Sequence, residues 1–413
     1  MFKHPKGLYI VFLVSLFERI SYYLLFSILV LSLQSGYGIG RDTPGIIYAF
    51  FLFGVYSLGV LGGWLADKKL GYVRSCIIGM ILMLAGYFIL ALPGNAIFLF
   101  CLALFILAVG NGFYKSNMVI LLGNAYEPEP YRSRRDAGFN IFYIGVNAGA
   151  MMAPFLAFYA GKYVMSLNHF LYNGKLHELA TQYLDHKLSD AAELIELIQQ
   201  QTATIPSDIP AFCSRYIDAV SQGYHAAYAI AAIAMGVALA LFIFFIRHLK
   251  QYDIRTAAVQ SNNHTLTAED RNRVNILVIV MVIVMFFWMS FYQNGLTLTF
   301  FADNYTRDTV GPATYLFFDF ISVLLILPVF TALIMLFTRL RKTWKTFAIL
   351  IAVVCIKLLI LRFNSFEQWN GIKAEIYQYF NPFFCILLTP LLLFIFSKMK
   401  KYEPSTPRKI GIG

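Results

Sequence analysis

Charged residues and the residue patterns of active sites are scarce in this sequence. Asp, Glu, Lys and Arg make up 13% of its 413 residues, whereas soluble domains carry about 25%. Four of the five cysteines lie inside apolar runs, so they match neither a disulfide framework nor a metal-binding spacing. The sequence has no histidine in the middle of an apolar run, no nucleophile–base pair and no phosphate-binding loop. We therefore expect neither a soluble domain nor an enzyme, and no metal.

Apolar residues are abundant instead. Hydrophobic residues make up 59% of the chain, including 39 Phe and 26 Tyr. They fall in long runs, and about 20 apolar residues suffice to cross a bilayer. We predict ten spans, at about 8–33, 45–66, 73–93, 96–122, 138–164, 221–246, 272–301, 313–338, 346–363 and 378–397. The sequence thus predicts an all-α, polytopic membrane protein in contact with the lipid bilayer.

The positive charge follows the predicted topology. The net charge is +11, and basic residues cluster on alternate connections between the apolar runs. Such clusters mark the cytoplasmic side of a membrane protein. They include Lys68 to Arg74, Arg132 to Arg135, Arg247 to Arg273, Arg339 to Lys345 and Lys398 to Lys409. We therefore expect both termini in the cytoplasm, an uncleaved first span and no nucleic-acid partner.

Two polar connections are long. Residues 165–220 are predicted to form an extracytoplasmic helical cap, because Leu194, Ile195 and Ile198 repeat at helical spacing between Asp190 and Gln200. The segment starting at His177 begins like a zinc-protease helix, but Thr181 stands where the second histidine would be. Residues 248–271 are predicted to be a cytoplasmic linker.

The first apolar run contains two adjacent charges, Glu18 and Arg19. They fall near mid-membrane, where a charge costs at least about 2.5 kcal/mol and faces a partner or a water-filled cavity. Two interpretations remain open at this point. The pair either holds helices together or belongs to a transport cavity.

The connection between the second and third spans reads Gly62-Gly-Trp-Leu-Ala-Asp-Lys-Lys-Leu-Gly71. Small residues let helices approach closely, and the Asp and Lys side chains can bind neighbouring helix ends. The segment resembles the loop signature of the major facilitator superfamily. That resemblance implies a gating loop, with Gly63, Asp67, Lys68 and Gly71 as its main residues.

Further motifs narrow the resemblance. They lie at Glu18–Tyr23, Gly110–Asn117, Arg134–Gly149, Phe287–Asp303 and Asn381–Pro390. In this order they are similar to helices of the proton-dependent oligopeptide transporters, a family within that superfamily. The resemblance implies secondary active transport of di- and tripeptides in the bacterial inner membrane by alternating access. It also implies the proton gradient as energy source and no cofactor.

The resemblance also implies a domain organisation and a binding site. Residues 1–164 and 221–247 would form a six-helix N-terminal bundle, and 272–413 a partial C-terminal bundle. A peptide presents a carboxylate, an ammonium and amides, so its site needs charges and hydrogen-bonding aromatic residues. The expected substrate-binding residues are Arg19, Tyr22, Tyr23, Tyr56, Lys115, Tyr143, Asn147, Trp288, Tyr292 and Asn381, with Glu18 as the proton-coupling residue.

The sequence departs from the family pattern in several places. Ser15 and Tyr292 stand where the family has glutamates, the spans 313–338 and 346–363 look inserted, and the last four helices are expected to be absent. A second chain could supply them. With Glu18 alone against Arg19 and Lys115, the cavity would carry about one uncompensated positive charge. Glu18 then carries coupling alone, or Lys115 is partly neutral, or coupling is lost; we expect anion binding to persist and coupling to weaken.

Two further expectations concern the inserted spans and the alternatives. Asp319 and Lys357 lie at similar predicted depth, which favours an ion pair between their helices. The alternative is that Lys357 extends towards the interface with Arg362. For the whole chain, the alternative functions are a non-transporting remnant or peptide sensor, and a transporter of another small anion such as nitrate.

Overall fold

The computed structural model describes residues 4–37, 42–94, 96–188, 190–202, 206–254, 268–337, 341–399, 404 and 408. The chain divides into two compact units, Met1–Thr306 and Arg307–Gly413. Most of the predicted linker 248–271 and the segment 402–411 lie outside the described residues.

The first unit is almost entirely helical. Its helices are α1 (Lys6–Tyr37), α2 (Asp42–Leu65), α3 (Tyr72–Ala91), α4 (Ile97–Ala125), α5 (Glu129–Arg132), α6 (Arg135–Leu167), α7 (Gly174–Leu184), α8 (Ala192–Thr202), α9 (Ile209–Phe244), α10 (Ile246–Lys250), α11 (Ala268–Phe291) and α12 (Thr297–Tyr305). A π-helical turn, Ala66–Leu70, follows α2, and a 3₁₀ turn, Tyr292–Gly295, separates α11 from α12.

Helix α1 is the centre of a bundle of long helices. It packs against α6 and α9 and also contacts α2 and α4, while α3 packs against α4 and α9. Most side chains of the apolar stretch of α1 are buried, whereas none in the more apolar stretch of α11 is. A long helix that exposes only apolar side chains is suited to lipid. The buried α1 therefore carries its charges into the protein interior.

Glycines bring some of these helices close together. A Cβ atom on Gly79 of α3 would lie 2.6 Å from the carbonyl oxygen of Gly110 on α4, and one on Gly110 would lie 2.7 Å from that of Gly79. A Cβ atom on Gly112 would lie 2.7 Å from the backbone of Leu58 on α2. Small residues at such crossings are typical of membrane helix packing.

The segment between α6 and α9 forms a small apolar core of its own. The predicted helix at Asp190–Gln200 is confirmed as α8, with Leu194 and Ile198 fully buried. The span predicted to begin at 221 starts earlier, because Asp208 caps α9 by accepting a hydrogen bond from the Ala211 amide at 2.9 Å. The first turns of α9 pack on α7 and α8 through Phe212, Cys213 and Tyr216, among others.

The predicted span 272–301 lies within one candidate span, Glu269–Tyr305, which a turn interrupts. Helix α11 ends at Phe291, and the chain passes through the 3₁₀ turn and Leu296 (φ −124°, ψ −85°) before α12 begins. Gly295 is buried where a Cβ atom would meet the Phe26 ring and the Tyr48 hydroxyl group. The close approach of these two side chains to the backbone therefore requires the glycine.

The described part of the second unit contains four α-helices and two short paired strands. They are β1 (Thr309–Val310), α13 (Pro312–Tyr315), α14 (Phe320–Leu336), α15 (Lys342–Asn364), β2 (Asn370–Gly371) and α16 (Phe380–Met399), with a 3₁₀ turn at Ala374–Tyr379. Strands β1 and β2 are antiparallel, with Thr309 opposite Gly371. Helix α14 packs against α15 and α16.

The expected ion pair between Asp319 and Lys357 is wrong. In the described part of the chain, Asp319 pairs with Arg362, with 2.7 Å between Oδ1 and Nη2, and Lys357 is exposed. Asp319 lies just before α14, not inside a span, because its carboxylate caps that helix by accepting from the Ser322 amide at 2.9 Å. The span predicted from residue 313 therefore begins at Phe320.

Among the described residues, eight helices are long and apolar enough to cross a membrane, and α14 is a shorter apolar helix. Helix α16 coincides with the tenth predicted span. The all-α, polytopic fold class is thus confirmed.

Candidate functional site

Glu18 and Arg19 form an ion pair in the interior of the first unit. Arg19 donates from Nε to Glu18 Oε2 at 2.6 Å and from Nη2 to Oε1 at 2.7 Å. The exposed fraction is 0% for Glu18 and 7% for Arg19. Two parallel bonds are the strongest geometry for a guanidinium and a carboxylate. The two charges therefore neutralise each other where isolated charges would be very costly.

The surroundings of this pair are polar on one side and aromatic on the other. Ser15, which replaces a family glutamate, is buried, and its hydroxyl group lies 3.3 Å from that of Tyr114 on α4. The Arg19 guanidinium lies over the Tyr22 ring, 4.9 Å from its centroid. Gly149 brings α6 against α1, since a Cβ atom there would lie 3.0 Å from Cβ of Arg19.

The second predicted cation, Lys115 on α4, contacts a tyrosine. Its Nζ atom lies 4.5 Å from the centroid of the Tyr56 ring and donates to the Tyr56 hydroxyl group at 3.4 Å. That hydroxyl group is hydrogen-bonded to the hydroxyl group of Tyr292. Among the described residues, no carboxylate forms an ion pair with Lys115. A cation over an aromatic face is stabilised by the ring quadrupole and remains available to an anion.

A group of aromatic side chains connects the two cations; we call it the ring cluster. It consists of Tyr22, Tyr23, Phe26, Tyr48, Tyr56, Trp288 and Tyr292. Phe26 is its centre, with ring centroids 6.1 Å from Tyr22 and 5.8 Å from Tyr292. Trp288 stacks on Tyr292 at 5.5 Å. The contacts run without interruption from Arg19 to Lys115.

Phe26 and Tyr48 were missed by the sequence analysis. Phe26 lies one turn after Tyr22 on α1, and Tyr48 lies eight residues before Tyr56 on α2, so helical spacing alone placed both on the same faces as predicted residues. The Tyr48 hydroxyl group donates to the carbonyl oxygen of Tyr292 at 3.0 Å. That carbonyl oxygen lies in the 3₁₀ turn after α11, and the break in the helix was not evident from the apolar pattern.

The remaining predicted binding residues lie elsewhere. On α6, Asn147 Nδ2 donates to the carbonyl oxygen of Tyr143 at 2.9 Å, and the Tyr143 ring packs on Phe142. Asn147 lies two residues and Tyr143 six residues before Gly149, on the helix that contacts Arg19. Asn381 belongs to the second unit, where it is exposed on α16. Their roles in binding stay predictions.

The predicted gating loop is a tight turn between α2 and α3. Gly71 has a φ of 81°, in the left-handed region that favours glycine. Asp67 accepts a hydrogen bond from the Tyr72 hydroxyl group at 2.7 Å, and Lys68 lies over the Trp64 ring. Space is open around Gly63, and it is Gly62 that packs closely on α4.

The first amides of α3 bind an acidic residue that the sequence analysis did not single out. Asp253 accepts from the Tyr72 amide at 2.8 Å and from the Val73 amide at 3.4 Å. Carboxylates are stabilised at helix N-termini, and Asp253 thereby ties the end of α10 to the loop after α2. A single acidic residue after a basic segment gave no signal of this contact.

Taken by its chemistry, the site offers a paired cation, a half-buried cation and several hydroxyl groups. Lys115 can bind a carboxylate directly. Two N–H donors of Arg19, on Nε and Nη2, are already engaged by Glu18. The Arg19 guanidinium can therefore bind a ligand carboxylate only if it leaves Glu18 or binds both carboxylates at once. Tyr22 has a buried hydroxyl oxygen with no hydrogen-bond partner in the described part of the chain. Such a group is expected to bind water or ligand.

The sequence is similar to that of known membrane transporters. Residues 74–276 match the model of the POT family, PTR2. The chain is 25% identical over its whole length to the uncharacterized transporter YclF of Bacillus subtilis, covering 72% of that protein. It is 26% identical to a di-/tripeptide transporter of Lactococcus lactis, covering 73%. A 160-residue stretch is 34% identical to dipeptide and tripeptide permease A of Serratia proteamaculans, covering 31%.

Solved structures show the same fold. One is a peptide transporter POT in complex with sulfate, with a TM-score of 0.51 and 22% identity, matched over 99% of this chain and 72% of that one. Another is a POT family transporter in complex with 5-aminolevulinic acid, with a TM-score of 0.52 and 22% identity over 98% and 72%. The first-helix, loop and fourth-helix motifs agree with this likeness. The chain therefore has the helical-bundle fold of these solved transporters, matches the POT family at residues 74–276 and is homologous to bacterial di-/tripeptide transporters.

Proposed function

We propose that this chain is a secondary active transporter of di- and tripeptides that works by alternating access. The observation that carries the proposal is the connection of Arg19 to Lys115 through the ring cluster, in a bundle homologous to named peptide transporters. A peptide carboxylate would bind Lys115 and the Arg19 fork. The tyrosine hydroxyl groups would hydrogen-bond the peptide backbone, and Trp288 would pack on a side chain.

Glu18 is proposed to couple binding to protons. As a carboxylate it occupies the fork of Arg19 through two hydrogen bonds. Protonation removes its negative charge and frees the guanidinium for the carboxylate of the peptide. Since Ser15 and Tyr292 are not carboxylates, this coupling rests on one side chain, and we expect it to be weaker than in a site with several glutamates.

The setting of the proposed transporter follows from the charge pattern. Basic clusters on alternate connections place both termini in the cytoplasm, and the relatives' bacterial origin favours the inner membrane. The proton gradient supplies the energy, with no cofactor and no enzymatic activity. A peptide sensor, a non-transporting remnant or a nitrate-type carrier is less favoured, because two of the three relatives are named as di- and tripeptide carriers.

Uptake into proteoliposomes tests this function. Purified protein is reconstituted, and accumulation of a labelled dipeptide is followed after an inward proton gradient is imposed. We expect uptake by the native chain and a loss of about tenfold or more for Lys115→Gln, since a charged hydrogen bond contributes about 1.5–3 kcal/mol. Lys162→Gln is the matched control, because Lys162 is exposed near the far end of α6. Equal uptake by both variants would refute the assigned role of Lys115.

Glu18→Gln tests the coupling in the same vesicles. Counterflow of labelled against unlabelled peptide needs no gradient, and we expect it to survive. Gradient-driven accumulation is expected to be abolished. Accumulation that persists at the native level in Glu18→Gln would show that another group carries the proton.

A further inference from the structure

A groove of about 340 Å³ lies between the beginning of α1 and the end of α9, away from the ring cluster. Its walls are apolar and its open end is basic. Tyr9, Ile10 and Leu13 line it on α1, Leu241 and Phe245 line it on α9, and Lys6 and His248 lie at the end.

Along the helix axes, the two basic residues come first and the apolar walls follow. Lys6 is the first residue of α1, and Leu13 follows it by seven residues, or about 10 Å at 1.5 Å per residue. Leu241 precedes His248 by the same number of residues on the opposite wall. Both Lys6 and His248 are exposed. The groove therefore begins at two basic groups and continues as an apolar channel along the membrane-spanning helices.

Helix α10, which carries His248 at the open end of the groove, is held in place by protein contacts. Leu249 is fully buried, and Asn124 Nδ2 donates to the carbonyl oxygen of Tyr252 at 2.9 Å. The Tyr252 ring packs on Gly7, where a Cβ atom would lie 2.6 Å from it. Together with the contacts of Asp253 to α3, these interactions form the groove without a ligand.

The charge around the open end is positive. Arg247 and Lys250 are exposed beside His248. The one acidic residue of this turn, Asp253, is engaged by the amides of Tyr72 and Val73. Burial raises the pKa of Tyr252, so its hydroxyl group adds no negative charge near Lys6. An anionic group at this position would meet Lys6 and His248, and no carboxylate is among the described residues that line the groove.

We propose that this groove binds an anionic phospholipid, with the phosphate on Lys6 and His248 and an acyl chain along Leu13 and Leu241. In a lipid leaflet the charged headgroup lies at the surface and the acyl chain lies deeper. The basic residues and the apolar walls of the groove follow the same order. Basic pockets between membrane helices on the cytoplasmic side bind anionic headgroups, and basic clusters place this end of α1 on that side. The proposal requires only that the chain spans a bilayer and does not depend on peptide transport.

Native mass spectrometry of the purified full chain tests the site. The protein in detergent is titrated with dioleoyl phosphatidylglycerol or dioleoyl phosphatidylcholine, and bound lipid is counted. We expect tighter binding of phosphatidylglycerol, and about fivefold weaker binding of it by Lys6→Gln, because one basic residue near the surface contributes about 1 kcal/mol. Leu241→Trp, which fills the apolar channel, should weaken binding of both lipids.

Lys162→Gln is the matched control for charge, since it removes one exposed lysine at the other end of the bundle. Its binding of phosphatidylglycerol should equal that of the native chain. The proposal is overturned if the native chain binds both lipids equally, if Lys162→Gln weakens binding as much as Lys6→Gln, or if Leu241→Trp binds like the native chain. The comparison of the two lipids on the native chain decides the question even if a variant does not fold.

Discussion

At the scale of single residues, the Glu18–Arg19 pair fits two interpretations, a structural ion pair and part of a binding site. It is buried and doubly hydrogen-bonded, which suits a structural ion pair. It also lies against the ring cluster that leads to Lys115, which suits a binding site. The two interpretations are compatible, because a pair that is neutral overall can be opened by a proton or by a competing anion.

Breaking one side of this pair is expected to be costly. Glu18→Gln leaves Arg19 charged and buried without its anion, and removing one partner of a buried pair costs about 3–5 kcal/mol. We expect a clear drop in the unfolding temperature in detergent. The double variant Glu18→Leu/Arg19→Leu should recover most of the loss, because apolar residues of similar size are tolerated in place of a buried pair. A native unfolding temperature in Glu18→Gln would contradict the buried pairing.

The individual site residues show what the sequence could predict. The free-energy cost of exposing charges to lipid predicted that Glu18 and Arg19 lie in the protein interior. Both residues are buried there. Lys115 and Tyr56 were predicted on separate helices, and they contact each other. The mutual bonds of Glu18 and Arg19 were not predicted as such, because neighbouring residues on a helix point in different directions.

At the scale of elements, helix ends decide where the spans begin. Hydropathy predicted a span from residue 313, but the carboxylate of Asp319 caps α14 and starts it at Phe320. Asp208 does the same for α9. Both residues are good caps whose position next to an apolar run was visible in the sequence. The break at Tyr292–Gly295 also had a signal, because Asn294-Gly295 is a dipeptide typical of turns. The prediction of a single span followed the apolar residues on both sides of it instead.

Asp319 gives a test of the capping and pairing together. Asp319→Ala removes the cap of α14 and the partner of Arg362, which is about one-third exposed. We expect a loss of about 2 kcal/mol in the free energy of unfolding in detergent. Asp319→Asn should lose less stability than Asp319→Ala, since Asn also caps helices. Lys357→Met serves as control and should have almost no effect. If Lys357→Met restored stability to Asp319→Asn, the pairing with Arg362 would be wrong.

Glycines at the α3–α4 crossing give a second test. Gly79→Ala places a methyl group 2.6 Å from the carbonyl oxygen of Gly110, so the helices must separate, and overpacking costs about 1–3 kcal/mol. Gly59→Ala on α2 is the matched control, because nothing lies within 4 Å of its Cβ position. The control should be neutral or slightly stabilising, as alanine favours helix over glycine. Equal unfolding temperatures for the two variants would contradict the close crossing.

At the scale of the whole molecule, the sequence predicted the fold more completely than it predicted the contacts of the site. Apolar runs and basic clusters fixed the number and type of most helices, and ordered motifs indicated the family fold. The contacts among Phe26, Tyr48 and Tyr292 depend on how three helices meet, which no local pattern encodes. The lipid groove likewise depends on α1 and α9 being antiparallel neighbours, although Lys6 and His248 are 242 positions apart.

The central claim is that the cations of the interior bind the carboxylate of a peptide. It is tested most directly by isothermal titration of the purified chain with dialanine and with the same dipeptide amidated at its C-terminus. The two ligands differ only in the negative charge that Lys115 and Arg19 would bind. We expect dialanine to bind, and we expect amidation to weaken its binding about tenfold or more. Equal affinity for the two, or no binding of either, would contradict it.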